Sequence, residues 1–181
     1  MSALGLREST WFTTLLERKP SGVRYFLDTE YNGFGGALIS IALVPEIGDR
    51  EFYATVPLPD VLHPWVARHV IPYLRMVPEG LYHEMTVAEA ADEISHYLAR
   101  DAHPVIVADW PEDIAQFCSL IVQGPGEIID IPTTEFCLLR QPGFSAAANS
   151  GVPHNALHDA RALREFVMDA PAASALFGQR K

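Results

Sequence analysis

Residues 23–30, V-R-Y-F-L-D-T-E, constrain the fold most, because they form a short apolar run that ends in two acids. Runs of this length with aromatic and branched residues are typical of buried strands. Side chains two residues apart in a strand point to the same face, so Asp28 and Glu30 would lie about 6.6 Å apart on one side. Neighbouring carboxylates repel unless a cation lies between them, and hard divalent cations prefer oxygen ligands. Two solvated acids at a strand end are the alternative interpretation.

The length of 181 residues suits one domain with a substantial core. We predict that this domain spans residues 23–181 and follows an extension at residues 1–22. Four apolar residues of the extension have helical spacing and predict one amphipathic helix there: Trp11, Phe12, Leu15 and Leu16.

The formal net charge of −10 argues against a surface that coats nucleic acid without specificity, because such binding needs many Lys and Arg contacts with phosphate. It does not argue against an enzyme whose metal ions supply positive charge locally. Cys118 and Cys137 lie in apolar sequence without C-x-x-C spacing, which predicts reduced thiols. Because no stretch resembles a signal peptide or a membrane span, these features predict a cytoplasmic protein.

Strand patterns dominate the first part of the domain. Strands are predicted at residues 23–30, 37–44 and 50–56, and the loops between them are short. Strands joined in this way favour an antiparallel meander.

Helical spacing follows the meander. One helix is predicted over residues 63–74, with Pro72 near its end. Thr86 and Glu89 have the spacing of a capping box, which predicts the start of the next helix. Four apolar residues would form its inner face: Val87, Ala91, Ile94 and Leu98.

The second half of the chain alternates strands and helices. Residues 104–108 form a continuous apolar run, typical of a buried central strand. A helix is predicted to begin at Pro111, with these residues facing inward: Ile114, Phe117, Cys118 and Ile121. Another strand is predicted at 127–131 and a loop at 141–153. Four apolar residues predict a last helix, which completes an α/β fold: Ala156, Ala160, Leu163 and Val167.

Acids follow these elements at positions that could gather in space. Asp109 and Asp113 flank the start of the helix after the predicted central strand. Asp159 lies beside the inner face of the last helix, and His154 precedes it by five residues. This H-x4-D spacing places a histidine at the rim of a site whose floor contains the aspartate. A rim histidine with a pKa near neutrality suits a general base.

Three segments resemble the motifs of the DEDDh family of 3′-5′ exonucleases. Residues 26–30, F-L-D-T-E, are similar to the family's F-x-D-x-E strand, and residues 105–117 resemble its second motif, a strand, a turn and an acidic helix start. Residues 153–161, P-H-N-A-L-H-D-A-R, are close to the family pattern P-H-x-A-L-x-D-A. The resemblance covers residues 23 to about 169. It implies a ribonuclease H-like fold, a mixed α/β sheet with helices on both faces.

The resemblance also implies a site. His154 would be the general base, and four acids would be both catalytic residues and metal ligands: Asp28, Glu30, Asp113 and Asp159. Two Mg²⁺ or Mn²⁺ ions and the release of nucleoside 5′-monophosphates from a free 3′ end are implied with them. The second motif departs from the family, because Asp109 occupies the usual place of an asparagine. Asp109 is therefore the alternative to Asp113 as a ligand, and the one that is not a ligand would cap the helix.

Within the family, the chain most resembles the small bacterial exoribonucleases of the AS type, because it is short and its first motif reads D-T-E. Ribonuclease T and oligoribonuclease are the next resemblances. These resemblances imply single-stranded RNA as the substrate and a homodimer. An exonuclease for DNA is an alternative. Proteins distinguish RNA from DNA by contacts with the 2′-hydroxyl, and no motif in the sequence predicts such contacts. A catalytically silent nucleic-acid-binding module of the same fold is another, which the presence of all five residues disfavours.

Five further residues have open or lesser roles. His158 is predicted to be a surface histidine of the last helix, and Asp130 an acid at a strand end. Trp65, Trp110 and Tyr31 could stack on a base. Packing is favoured for Trp65, whereas Trp110 and Tyr31 adjoin catalytic segments and both interpretations stay open.

Overall fold

The computed structural model describes residues 22–169, so the helix predicted in the extension lies outside the described residues. Seven strands occur in this range: β1 (Arg24–Tyr31), β2 (Leu38–Pro45), β3 (Phe52–Thr55), β4 (Val105–Ala108), β5 (Val122–Gly124), β6 (Glu127–Ile128) and β7 (Glu135–Leu138). Five of them form one mixed sheet in the order β3-β2-β1-β4-β7, and β5 and β6 form a separate two-stranded sheet.

The three-strand meander is confirmed. β1 pairs antiparallel with β2, and β2 pairs antiparallel with β3. On its other side β1 pairs parallel with β4, and β4 pairs parallel with β7. β1 is therefore the central strand, which explains why seven of its eight residues are buried although it ends in acids.

Helices cover both faces of the sheet, as predicted. The helical elements are α1 (Pro64–His69), a 3₁₀ turn (Ile71–Tyr73), α2 (Val87–Leu98), α3 (Pro111–Ile121), α4 (Ala146–Asn149) and α5 (Ala156–Asp169). Leu27 of β1 packs in a core with α2 and α3, whereas Phe26 packs in a core with α5 on the opposite face. No helix within residues 22–169 combines the length and the apolar character needed to cross a membrane.

Two helix predictions need correction. The capping box of Thr86 and Glu89 is present, but Val87 is 51% exposed and does not belong to the inner face of α2. Val87 is the first residue of α2, and the buried residues of the helix begin only at Ala90. The helix predicted over 63–74 is interrupted after α1, because Pro72 has no N–H to donate and its ring would clash with the preceding turn.

The strand predicted at 127–131 was also only partly correct. Just Glu127–Ile128 are paired, and β7, which extends the main sheet, was not predicted. β7 is an edge strand with mainly exposed residues, so it lacks the apolar run that marks β4. The predicted loop at 141–153 contains the short helix α4, which Ser145 caps through its hydroxyl. Cys118 and Cys137 are free and partly buried.

Candidate metal centre

The acids of β1 face α5 at the carboxyl end of the strand. Alternation along β1 places Asp28 and Glu30 on the same side as Phe26, which packs against α5. Both acids are buried, with 9% of each residue exposed. They flank Thr29, which points to the opposite face. The predicted placement of the two side chains on one face of a buried strand therefore holds.

Asp113 reaches the same strand from the first turn of α3. Pro111 begins this helix, so the acidic side chain lies where the helix dipole favours negative charge. Its Oδ1 accepts hydrogen bonds from the hydroxyl of Thr29 at 2.7 Å and from the backbone N–H of Thr29 at 3.1 Å. Sequence reasoning missed Thr29, and its place between two acids was the only available signal.

Asp109 lies beside these residues at the end of β4. One carboxylate oxygen accepts a hydrogen bond of 3.3 Å from the backbone N–H of Ala146, the first residue of α4. Carboxylate oxygens of Asp28, Asp109 and Asp113 all lie within 4.8 Å of one another, which is close enough to hold one metal ion. Both candidates for the second-motif ligand are therefore in the cluster, and Asp113 is the more deeply buried of the two.

A second group forms from β1 and α5. Ligand atoms of Glu30, His154 and Asp159 also lie within 4.8 Å of one another. The backbone N–H of His154 donates to Oδ2 of Asp159 at 3.2 Å. His154 has φ of +63°, a left-handed conformation that is uncommon for residues other than glycine and is enriched at functional sites. The predicted H-x4-D spacing thus brings the histidine and the aspartate together.

Asn155 fixes the start of α5 and was not predicted. It is fully buried, and its Oδ1 accepts hydrogen bonds from the backbone N–H groups of Leu157 and His158. Its Nδ2 donates to the carbonyl of Tyr73 at 2.8 Å. Asparagine directly before a helix is a favoured cap, so the sequence did carry a signal for this role.

Aromatic rings line the rim beside His154. The ring of Trp65 meets the His154 ring edge-on, with centroids 4.8 Å apart, and stacks on His69 at 4.9 Å. Trp65 is 44% exposed, so it packs at the rim, as favoured. Tyr31 is half-buried, and its pKa is raised first by burial and then by Glu112.

His158 and Asp130 do not join the candidate ligands. Nε2 of His158 lies 2.8 Å from the backbone carbonyl of Met76. Neither residue belongs to a possible metal-binding group within residues 22–169. The preference for His154 over His158 is consistent with this arrangement.

The electrostatics of the cluster oppose full ionisation. Burial, followed by Asp113 and the other nearby acids, raises the pKa of Asp28 well above its usual range. Burial also raises the pKa of Glu30 to about 8, of Asp113 to about 7 and of Asp159 to about 6. Carboxyls in such a state have an unmet need for positive charge, which a bound cation would supply.

One buried atom tests whether a metal fits. Oδ1 of Asp159 is buried and accepts no hydrogen bond of ordinary geometry among the described residues, although the Ser150 side chain lies near this carboxyl. Leaving a buried carboxylate oxygen unpaired is costly, and coordination to a metal would remove that cost. The carboxylate oxygens of the two groups suit a hard divalent cation, and the imidazole of His154 lies beside those of the second group. The residues of this site therefore suit a divalent metal ion, which is what the sequence motifs imply.

No protein-family model matches the chain, and a search of curated proteins finds no match.

Proposed function

We propose that this protein is a metal-dependent 3′-5′ exonuclease with a ribonuclease H-like domain of the DEDDh type. One observation carries the proposal: three segments far apart in the chain, at residues 26–30, 105–117 and 153–161, bring all five predicted site residues together. These residues are four acids and one histidine, and all five belong to the two ligand groups: Asp28, Glu30, Asp113, Asp159 and His154. The resemblance concerns local sequence, and the convergence of these segments in space is the observation that supports the proposal.

The four acids would hold two divalent ions, Mg²⁺ or Mn²⁺, with Asp28 between the two groups. When bound, such ions supply a strong nucleophile from water and stabilise the charge on the leaving oxygen. Each of the four acids is buried, so the ions would lie where little bulk water reaches their ligands.

His154 would accept the proton of the attacking water at a ring nitrogen. Burial, followed by the charge of His69, lowers the pKa of His154. A lowered pKa keeps the imidazole neutral near pH 7, and only the neutral form can accept a proton. The edge of Trp65 restricts the orientations of this ring.

We propose single-stranded RNA as the substrate and nucleoside 5′-monophosphates as products. The test is hydrolysis of 5′-labelled RNA and DNA of one sequence with Mn²⁺, resolved at single-nucleotide spacing. We expect RNA to shorten stepwise from its 3′ end, and we expect a 3′-phosphate or a circular RNA to resist. Asp28→Asn, purified in parallel, controls for contaminating nucleases.

Each other outcome has a distinct meaning. Faster shortening of DNA would assign the DNA alternative, and efficient cutting of a circle would make the protein an endonuclease outside the family. Failure of the wild type to cut either polymer with Mg²⁺ or Mn²⁺ would reject the enzyme and leave the silent binding module. The homodimer implied by the resemblance is tested by sedimentation of the full chain.

A further inference from the structure

The guanidinium of Arg140 lies over the ring of Trp110 at the edge of the acidic cluster. The guanidinium carbon of Arg140 is 5.1 Å from the centre of the Trp110 ring. Nη1 of Arg140 donates to the backbone carbonyl of Asp109 at 3.0 Å. The carboxylate of Asp109 belongs to the first ligand group, together with Asp28 and Asp113. The Arg140–Trp110 pair is therefore fixed to the candidate metal centre through one residue.

Arg140 retains donors and charge for a ligand. It is exposed, and within residues 22–169 it forms no ion pair. A guanidinium carries five N–H donors, and one donor of Arg140 makes a hydrogen bond with the carbonyl of Asp109. Arg161, by contrast, is engaged by the carboxylate of Glu51. Among the described residues Arg140 thus has no carboxylate within ion-pair distance, and its charge offsets only part of the rise in the Asp109 pKa that burial causes.

The side chain of Trp110 is partly exposed to solvent beside the guanidinium of Arg140. Its residue is 48% exposed although it directly precedes α3 and the buried Asp113. A large aromatic side chain that stays exposed forgoes the favourable free energy that burying its apolar surface would give. Bases stack on such rings largely independently of sequence, and an arginine can bind a phosphate through two N–H groups at once.

We propose that Arg140 and Trp110 form a nucleotide-binding subsite next to the metal centre. Arg140 binds the phosphate that neighbours the scissile phosphodiester, and Trp110 stacks on the adjoining base. Arg140 holds the carbonyl of Asp109 and not its carboxylate, so the guanidinium lies beside the ligand cluster and not within it. The subsite also offers a polyanion a positive contact on a protein whose net charge is −10. This inference rests on the proposed nuclease function.

The test compares two RNAs that differ in neighbouring phosphates. The dinucleotide ApA has only the scissile phosphate, whereas heptaadenylate also has neighbours. Arg140→Gln should raise the KM for heptaadenylate about tenfold relative to that for ApA, with kcat for heptaadenylate changed less than about twofold, because it removes a charge-assisted contact made before the chemical step. Its KM should also depend less on salt, by about 0.7 in the logarithmic slope.

Matched variants separate binding from damage to the fold. Arg100→Gln removes the same charge from an exposed arginine and should leave both KM values as in wild type. Arg100 directly precedes Asp101, whose carboxylate accepts a hydrogen bond from the backbone N–H of Val23, just before β1. Trp110→Ala should raise the KM for heptaadenylate about 5–100-fold, and Trp110→Phe should restore most of the loss.

The outcomes are distinguishable from failure of the nuclease itself. If wild type cuts heptaadenylate but Arg140→Gln matches Arg100→Gln in KM and salt slope, the subsite is wrong and the nuclease stands. If Arg140→Gln raises the two KM values equally, its role is structural and the subsite is again wrong. If wild type cuts neither RNA, the proposed function fails and the subsite fails with it.

Discussion

The hydroxyl and the backbone N–H of Thr29 donate to the same carboxylate oxygen of Asp113, at 2.7 and 3.1 Å. This double contact joins the central strand to α3 and holds the Asp113 carboxylate next to Asp28. Asp109 instead accepts from Ala146 and is less deeply buried. Orientation by β1 supports the proposal that Asp113 is the ligand. The predicted helix cap is wrong, because no side chain caps the start of α3 and Asp109 contacts α4 instead.

Substitution separates these two acids. Asp113→Asn should reduce kcat on RNA by more than 100-fold, because it removes charge from an oriented ligand. Asp109→Asn should lose about 10–100-fold, the usual effect of changing a residue that supports a ligand. Single-turnover rates with saturating Mn²⁺ measure both. A larger loss in Asp109→Asn would assign the ligand role to Asp109.

His154 and His158 provide a matched pair of histidines. His154→Ala should lose about 10²–10⁴-fold in rate, the usual contribution of a general base, while Mn²⁺ binding measured by calorimetry is retained. His158→Ala should leave the rate within about twofold and lower the free energy of unfolding by about 1 kcal/mol, because one hydrogen bond with the Met76 carbonyl is lost. Reversed rates would reject the H-x4-D interpretation.

Local patterns in the sequence predicted much of this molecule, but partners distant in the chain could not be predicted. Apolar runs predicted β1 and β4, and the motif spacing predicted five residues that all belong to the two possible metal-binding groups. β7 was missed because most of its side chains are exposed and its pairing with β4 is a tertiary property. The contact of Asn155 with Tyr73 joins residues 82 positions apart, so no local pattern records it.

The raised carboxyl pKa values predict how pH affects the metal-free protein. Folding raises the pKa of Glu30 to about 8 and of Asp113 to about 7, so the folded state binds these protons more tightly than the unfolded chain. The resulting stabilisation is complete below the unfolded values near 4 and is lost as pH rises through about 8. In EDTA, the melting temperature should therefore fall between pH 5 and pH 8.

Glu30→Gln isolates this effect from other titrating groups. The variant lacks one of the raised carboxyls, so its melting temperature in EDTA should decline less over the same pH range. Each kcal/mol of difference corresponds to about 2–4 °C for a domain of this size. Parallel declines in both proteins, measured by calorimetry, would contradict the assignment of the pH effect to this cluster.

Metal binding should reverse the repulsion. A divalent ion binds the folded cluster far better than an unfolded chain in which the acids are spread from residue 28 to residue 159. Binding to the folded state adds about 2.7 kcal/mol at a hundredfold excess over Kd, so saturating Mn²⁺ should raise the melting temperature by about 5–10 °C. Because protons compete with the metal for the carboxylates, the increase should be larger at pH 8 than at pH 6.

Asp28→Ala supplies the control for the metal response. It removes one ligand of the group that also contains Asp109 and Asp113, so the increase with Mn²⁺ should shrink and hydrolysis should be abolished. Without metal, the variant should melt no lower than wild type, because it lacks a carboxyl whose pKa is raised by burial and by repulsion from the neighbouring acids. A wild-type protein with no thermal response to Mn²⁺, at concentrations that support hydrolysis, would mean that these acids do not bind the ion together.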